Sequence, residues 1–488
     1  MEMERGSAAP SGVQPPPYTT FTTLQKRYIV LTASGASFFS GLSAQIYFPA
    51  LNTLATDMGV SMALINLTLT SYMIFQGIAP IILGPVADQD GRRPAFIICF
   101  IIYIAANIGL AVQDNFVSLL LLRCMQSAGS SSTVAISSAV VADTTPKAER
   151  GSAMGLVLAV TFLGPAVGPV AGGLLSQYLG WRAIFWFLTV LAAIFFLTLL
   201  LFFPETARHV VGNGSGAPQK WNRPWIHYAC GKPAAQEEDP QTPRSGVQHQ
   251  DKRGRSRFEI SSLFRSLYIM CEKASSILIL ANGVMLAGYM VVMAAIPPNF
   301  HRLYALNDLQ IGLCYIPLGA GAMAASVFTG KILDAYYQRL RSRAIVSTTT
   351  YDLDTVNGDH DSVVPVAKAR CTIALPFVTT GGLIILAFGW LLQFAVHLAV
   401  PVTLLFFLSL ALTSAFNCAS ILLVDLNPAS PAAATAASNL VRCLLAAGAT
   451  ALIDPMQQAM GCGWAFTVVA LVVLATILPF ILLIRMGK

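Results

Sequence analysis

Arg123 stands directly behind four leucines in "FVSLLLLRCMQSAGSSSTVAISSAVVAD", residues 116–143. A guanidinium in so apolar a stretch costs roughly 3 kcal/mol to insert into a bilayer, so it normally faces a cavity or finds a polar partner. Steps of three and four from it reach Gln126, Ser130, Thr133 and Ser137, which fall on one face of a helix. A second stretch, "NLVRC", carries Asn439 and Arg442, with Ala446 and Thr450 on the same face, and Ser37, Ser40, Ser43 and Tyr47 form a third polar face. Tyr72, Phe75 and Gln76 lie on the next apolar block. Together Arg123, Gln126, Ser130, Asn439, Arg442, Ser43, Tyr47 and Gln76 are the candidate substrate or coupling residues, expected to line one wet cavity. They suit the holding of an organic molecule. No catalytic constellation accompanies them: there is no paired-carboxylate, His-rich or Cys-rich cluster and no Gly-x-x-x-x-Gly-Lys-Ser/Thr phosphate loop, so neither an enzyme nor ATP hydrolysis is expected, and no cofactor or metal.

The elements that must position these residues follow from composition. Of 488 residues, 55% are hydrophobic and 11% charged, against about 25% charged in soluble domains. The apolar residues gather in twelve blocks long enough to span a bilayer: 28–50, 62–84, 94–112, 116–141, 151–177, 182–203, 275–297, 310–333, 371–393, 398–424, 432–455 and 463–485. Lipid satisfies no backbone polar group, so each must be a helix. The fold class is an all-α polytopic membrane protein.

The Lys and Arg residues concentrate in the tails and the even-numbered loops, which places both termini in the cytoplasm. The net charge of +7 is therefore a topology signal and not a sign of nucleic acid. The first 27 residues read as a disordered tail without a cleavable signal. The nine cysteines are scattered, with no Cys-x-x-Cys pair, and read as small apolar residues.

Between Pro204 and Lys273 lies a break rich in Pro, Gly and charge, a composition that cannot bury a core. It divides the chain into a six-helix bundle at 28–203, a cytoplasmic linker at 204–274 and a second bundle at 275–485, with 486–488 as a cytoplasmic end. Repetition supports two equivalent halves: Gly84 precedes Asp88 by four residues as Gly330 precedes Asp334, and Asp143-Thr-Thr-Pro146 is echoed by Asp425-Leu-Asn-Pro428. Two bundles related by a pseudo-twofold axis around a central cavity, with no ATP engine, imply a secondary transporter.

The motifs "GPVADQDGRRP", "RCMQSAG", "GPAVGPVAGG" and "PETARHVVGNGS" make the chain resemble the major facilitator superfamily, and within it the fungal twelve-span drug:proton antiporters; "YFPAL" and "NLVRC" are lesser echoes. The resemblance implies that the loop motif Gly84, Asp88, Gly91, Arg92, Arg93 latches the cytoplasmic side, with Arg92 meeting Asp143 and Asp88 meeting the start of span eleven. Both glycines would allow tight turns. In span five Gly164, Gly168 and Gly172 recur every four residues. The resemblance makes these, with Pro165, Pro169 and Gly173, an antiporter motif that packs on Gly319 and Gly321 of span eight in the other half.

All 23 acids fall at helix ends, loops or tails, with Asp57, Asp114, Asp308 and Asp454 placed outside. Two intramembrane cations therefore stand without a fixed anion. An anionic group on the substrate would be welcome there, and proton coupling rests on the family's pattern alone. The expectation is a monomeric plasma-membrane exporter of small organic molecules, drugs or metabolites, by proton antiport or, for organic acids, driven by membrane potential. Membrane lipid is its surroundings. A transport-inactive sensor on the same fold is the reading from another class.

Overall fold

The computed structural model describes residues 19–213, 222, 268–326, 328–329, 332, 366–427 and 431–486. The repeat at Gly330 and Asp334, the basic part of the linker and the first 18 residues lie outside that set.

Every described element is helical. Thr22 caps α1 (Thr23–Gln45) in a capping box with Gln25. A short 3-10 turn at Phe48–Ala50 then leads into α2 (Leu51–Met58), which ends on left-handed Gly59. The first half continues with α3 (Met62–Gln89), α4 (Arg92–Val112), α5 (Phe116–Thr144), α6 (Lys147–Leu179), α7 (Arg182–Phe202) and the single turn α8 (Arg208–Val211). The second half contains α9 (Lys273–Tyr304), α10 (Asp308–Leu313), resumed as helix at 316–326, then α11 (Val366–Gln393), α12 (Ala399–Leu426), α13 (Pro431–Ala475) and α14 (Ile477–Met486).

Among the described residues, ten helical runs are long and apolar enough to cross a membrane. That count joins 434–485 into one run, although Gly461 at φ +80° breaks it into two spans. It also passes over α5, whose polar face dilutes its hydropathy. The two together restore twelve spans.

The packing repeats between halves. In the first, α1 lies on α6, α4 on α5 and α4 on α7; in the second, α9 lies on α13, α11 on α12 and α11 on α14. Across the seam α3 meets α13 and α6 meets α10, two contacts that a twofold exchange of halves interconverts. The salt bridges follow the same symmetry. Arg92 at the start of α4 pairs with Asp143 at the end of α5, and Arg370 near the start of α11 pairs with Asp425 at the end of α12. The second pair restores a feature that the long loop before α11 hides in the sequence.

The two ends of the molecule differ. At the end that carries Asp308, one apolar core runs through both halves, from Leu42, Ile46 and Phe48 to Val292, Phe300 and Tyr315. Toward the Arg92 end each half has its own core, built around Phe96 and Phe100 in the first and Leu278 and Cys418 in the second. The halves are thus joined at the Asp308 end and separately cored at the other.

Candidate functional site

The face of α5 that carries Arg123 is buried from Leu119 to Ser137. Its hydroxyls are absorbed locally: Thr133 donates to the Ser130 carbonyl at 2.6 Å, and Ser137 to Ala33 on α1 at 2.6 Å. The polar faces of α1 and α5 therefore meet each other, and Arg123 is buried between them instead of lining the open wet cavity that was expected. The reason is aromatic cover. The Arg123 Cζ lies 4.2 Å from the centre of the Tyr47 ring and 4.3 Å from that of Tyr72, and the side chain is 0% exposed.

Both rings are anchored by their hydroxyls. Tyr47 bonds Thr68 at 3.0 Å and Tyr72 bonds Ser130 at 3.1 Å, while Ser127 donates to the Tyr72 carbonyl at 2.7 Å. Phe75 stands apart, 40% exposed. In the plane of the guanidinium, Nη1 donates to Gln126 Oε1 at 2.6 Å, Gln126 Nε2 donates to Asn107 Oδ1 at 2.7 Å, and Asn107 Nδ2 ends the chain on the Tyr103 carbonyl at 2.7 Å. Ser43 meets the Tyr103 hydroxyl at 2.5 Å. Two donors of Arg123, Nε and Nη2, have no acceptor among the described residues. That edge of the guanidinium matches a carboxylate taken in the side-on, two-bond manner.

The second group lies on the seam. Arg442 bonds Asn439, its Cζ sits 5.1 Å over the Phe416 ring, and Asn439 Nδ2 donates to the Gln76 carbonyl at 3.2 Å. Arg442 Nε is buried without a partner among the described residues. Tyr72 and Gln76, one turn apart on α3, connect the two arginine groups.

At the Arg92 end, Arg92 Nε donates to Asp143 Oδ2 at 2.9 Å, and Arg92 also pairs with Asp88. Asp88 is otherwise 69% exposed at the side chain. The side chains at the start of α13, its expected partner, lie outside the described residues. Arg93 is buried and donates to the Leu200 carbonyl at 2.9 Å.

Glu205, which sequence reasoning did not single out, organises this corner. Its carboxylate accepts the Arg92 and Arg93 backbone N–H groups at 2.9 and 3.2 Å, those of Thr206 and Ala207 at 2.9 Å, and the Asn222 amide at 2.8 Å. It caps the free N-terminus of α4. The signal was the acid in "PETAR". Gly91 is at φ +111° and a Cβ there would come within 2.4 Å of Glu205 Oε2, so a glycine is required. Gly84, by contrast, sits inside α3 with open space around it. It makes no turn.

The small-residue face of α6 also faces differently from expectation. A Cβ on Gly164 or Gly172 would lie 2.4 Å from Leu42 N or 1.9 Å from Ile46 O, and Gly168 faces Ile46 as well, so these three pack on α1 of their own half. Pro165 packs on Gly41 of the same helix. The contact with the other half uses the adjacent face: Gly173 abuts Asp308 O, Gly312 abuts the Pro169 carbonyl, and Gly319 abuts Ala166. Gly321 faces Phe406 on α12 instead. Helical period identified the small faces, and only the packing shows which neighbour each one meets.

Two helical bundles that meet along a seam, built from helices long and apolar enough to cross a membrane and carrying buried arginines, have the architecture of a polytopic membrane transport protein. The chain belongs to the major facilitator superfamily, whose family model matches residues 33–451. It is 39% identical over 462 residues to the MFS-type transporter phiD of a fungal species, covering 94% of this chain and 68% of that one. It is 35% identical over 481 residues to citrate exporter 1 of Aspergillus niger, covering 96% and 88%. Among solved structures it shares the fold of the human organic anion transporter MFSD10, with a TM-score of 0.57 at 18% identity over 96% of this chain and all of the other. The xylose transporter XylE of E. coli gives a TM-score of 0.60 at 13% identity over 93% and 98%. Members of the family are transporters, and the chain is not an enzyme.

Proposed function

We propose that this protein exports a small organic molecule bearing a carboxylate, by alternating access between its two halves. The observation that carries the reading is the Nε and Nη2 edge of Arg123, buried between two tyrosine rings without an acceptor among the described residues. A buried charge left unpaired is costly, and a carboxylate supplies both the charge and the two acceptors. The resemblance to a citrate exporter over nearly the whole chain supports the substrate class and the outward direction.

On this reading Arg123, Gln126, Ser130, Ser43 and Tyr47 form the recognition site, and Arg442, Asn439 and Gln76 couple it to the seam. Asp88, Gly91, Arg92, Arg93 and Asp143 gate the Arg92 end, which faces the cytoplasm together with both termini. The small faces of α6 let it slide between α1 and α10. The membrane is the plasma membrane and the unit is a monomer.

The inside-negative potential drives an anion outward with about 2.3 kcal/mol per charge per 100 mV, so an anion exporter works without protons. Proton antiport, the mode of the drug exporters that the motifs resemble, is the second reading. Purified protein in vesicles, loaded with citrate or a neutral drug and given a pH gradient or a potential separately, tests both. Citrate flux that follows the potential is expected. Neutral-drug flux that follows the pH gradient, with citrate unmoved, would overturn the carboxylate reading.

A further inference from the structure

The seam between the halves contains an acid that the proposed transport site does not use. Asp308, the first residue of α10, is only 7% exposed. Its Oδ2 accepts a hydrogen bond from Thr53 on α2 at 2.6 Å and another from Ser176 on α6 at 2.5 Å. Both donors belong to the opposite half. Among the described residues no cation lies within ion-pair distance of it, and it is flanked by the backbone contacts of Gly173 and Gly312 described above. Asn52 adds a further cross-half bond nearby, to the Pro297 carbonyl at 2.9 Å.

A carboxylate is out of place in a seam of glycine and alanine unless its hydrogen bonds are kept. It has two ways to keep them: the two hydroxyls when the halves are closed, or water when they part. A seam opened too little for water would leave the acid unsatisfied, which is expensive. We infer that Asp308 is the clasp of its end of the transport pathway, a carboxylate on one half gripped by two hydroxyls of the other that makes closure at this end all-or-none. The contacts directly beside it, Gly173 on the Asp308 backbone and Gly312 on the Pro169 carbonyl, are backbone against backbone and offer the acid no polar partner of their own. The acid supplies the two states. The inference depends on the alternating-access reading, but not on what the cargo is.

Hydrogen exchange of the full chain in lipid nanodiscs, with no substrate, tests the clasp apart from transport. Asp308→Asn is expected to speed exchange of residues 48–58 and 304–313 by about tenfold, the scale of losing a charge-assisted hydrogen bond, and to leave residues 86–93 and 139–146 unchanged. Thr53→Val with Ser176→Ala should do the same without touching the acid, so the test survives if the Asn variant folds poorly. Adding Asp308→Asn to that pair should change exchange by less than about twofold, because all three residues form one interaction. Unchanged exchange in both variants, equal loosening at both ends, or additive effects would overturn the clasp. Failure of citrate transport in vesicles with the exchange pattern intact would strike only the proposed cargo.

Discussion

Arg123 and Arg442 bring the same charge into apolar helices, yet their surroundings differ in kind. Arg123 is wholly buried, covered on both faces by anchored tyrosines and held at Nη1 by a chain of two amides that ends on a backbone carbonyl. Arg442 is half-buried, lies over one phenylalanine, and bonds an asparagine on its own helix that in turn reaches across the seam. The first is a fixed edge; the second is a joint. A group fixed on three sides recognises one geometry, whereas a group hung from a movable seam responds to the halves shifting. On the proposed function, Arg123 suits recognition and Arg442 suits coupling.

The sharpest way to break it is Arg123→Ala. Loss of a charged bidentate contact of roughly 3 kcal/mol predicts a fall of about a hundredfold or more in export rate, measured as initial efflux normalised to protein in the membrane. Arg123→Lys should fare little better, because an ammonium cannot present two parallel donors to a carboxylate. Full activity in the Lys variant would make Arg123 a mere charge. Arg442→Ala is expected to cost about tenfold, on the scale of one hydrogen bond to a charged group, and to act on maximal rate more than on the substrate concentration for half-maximal rate. A change confined to that concentration would move Arg442 into recognition and erase the distinction.

How much of this was legible depends on which interactions are local. Arg123, Gln126 and Ser130 share a helix face at fixed spacing, so the period revealed them, and the acids of the repeat showed Asp143 and Asp425 to be equivalent. Asn107 was not legible: it is a single amide in "YIAANIGL", and its part appears only when α4 crosses α5. Asp308 read as a loop acid because sequence shows its place on its own chain and not the hydroxyls that meet it from 132 and 255 residues away. Gly84 was misread for the complementary reason. A glycine before a short loop suggests a turn, but α3 runs on through Gln89 and only Gly91 has the positive φ. Spans and halves follow from composition, whereas seams follow from packing.

Asn107 supplies the next test. It touches Arg123 only through Gln126, so it is a positioning residue. Asn107→Leu should lower export about fivefold, near the value of one ordinary hydrogen bond, because Gln126 then loses the acceptor that fixes its amide. Asn107→Gln, which keeps both an amide acceptor for Gln126 and an amide donor for the Tyr103 carbonyl, should restore part of the rate. If both variants behave alike, the amide chain is packing and the fixed edge of Arg123 owes nothing to it.

The smallest effect is expected from Tyr47→Phe, and it isolates what the tyrosines contribute. The variant keeps the ring 4.2 Å from the guanidinium and removes only the hydroxyl. Thr68 loses little, since its own hydroxyl already donates to the Ile65 carbonyl at 2.7 Å and needs no second partner. The net cost of one neutral hydrogen bond, about 1 kcal/mol at most, then limits the fall in export to a few-fold, with the preference for citrate over a neutral drug unchanged. If the preference shifts instead, the hydroxyl and not the ring face sets the site's selectivity, and Arg123 is recognised as half of a pair whose other member is Tyr47.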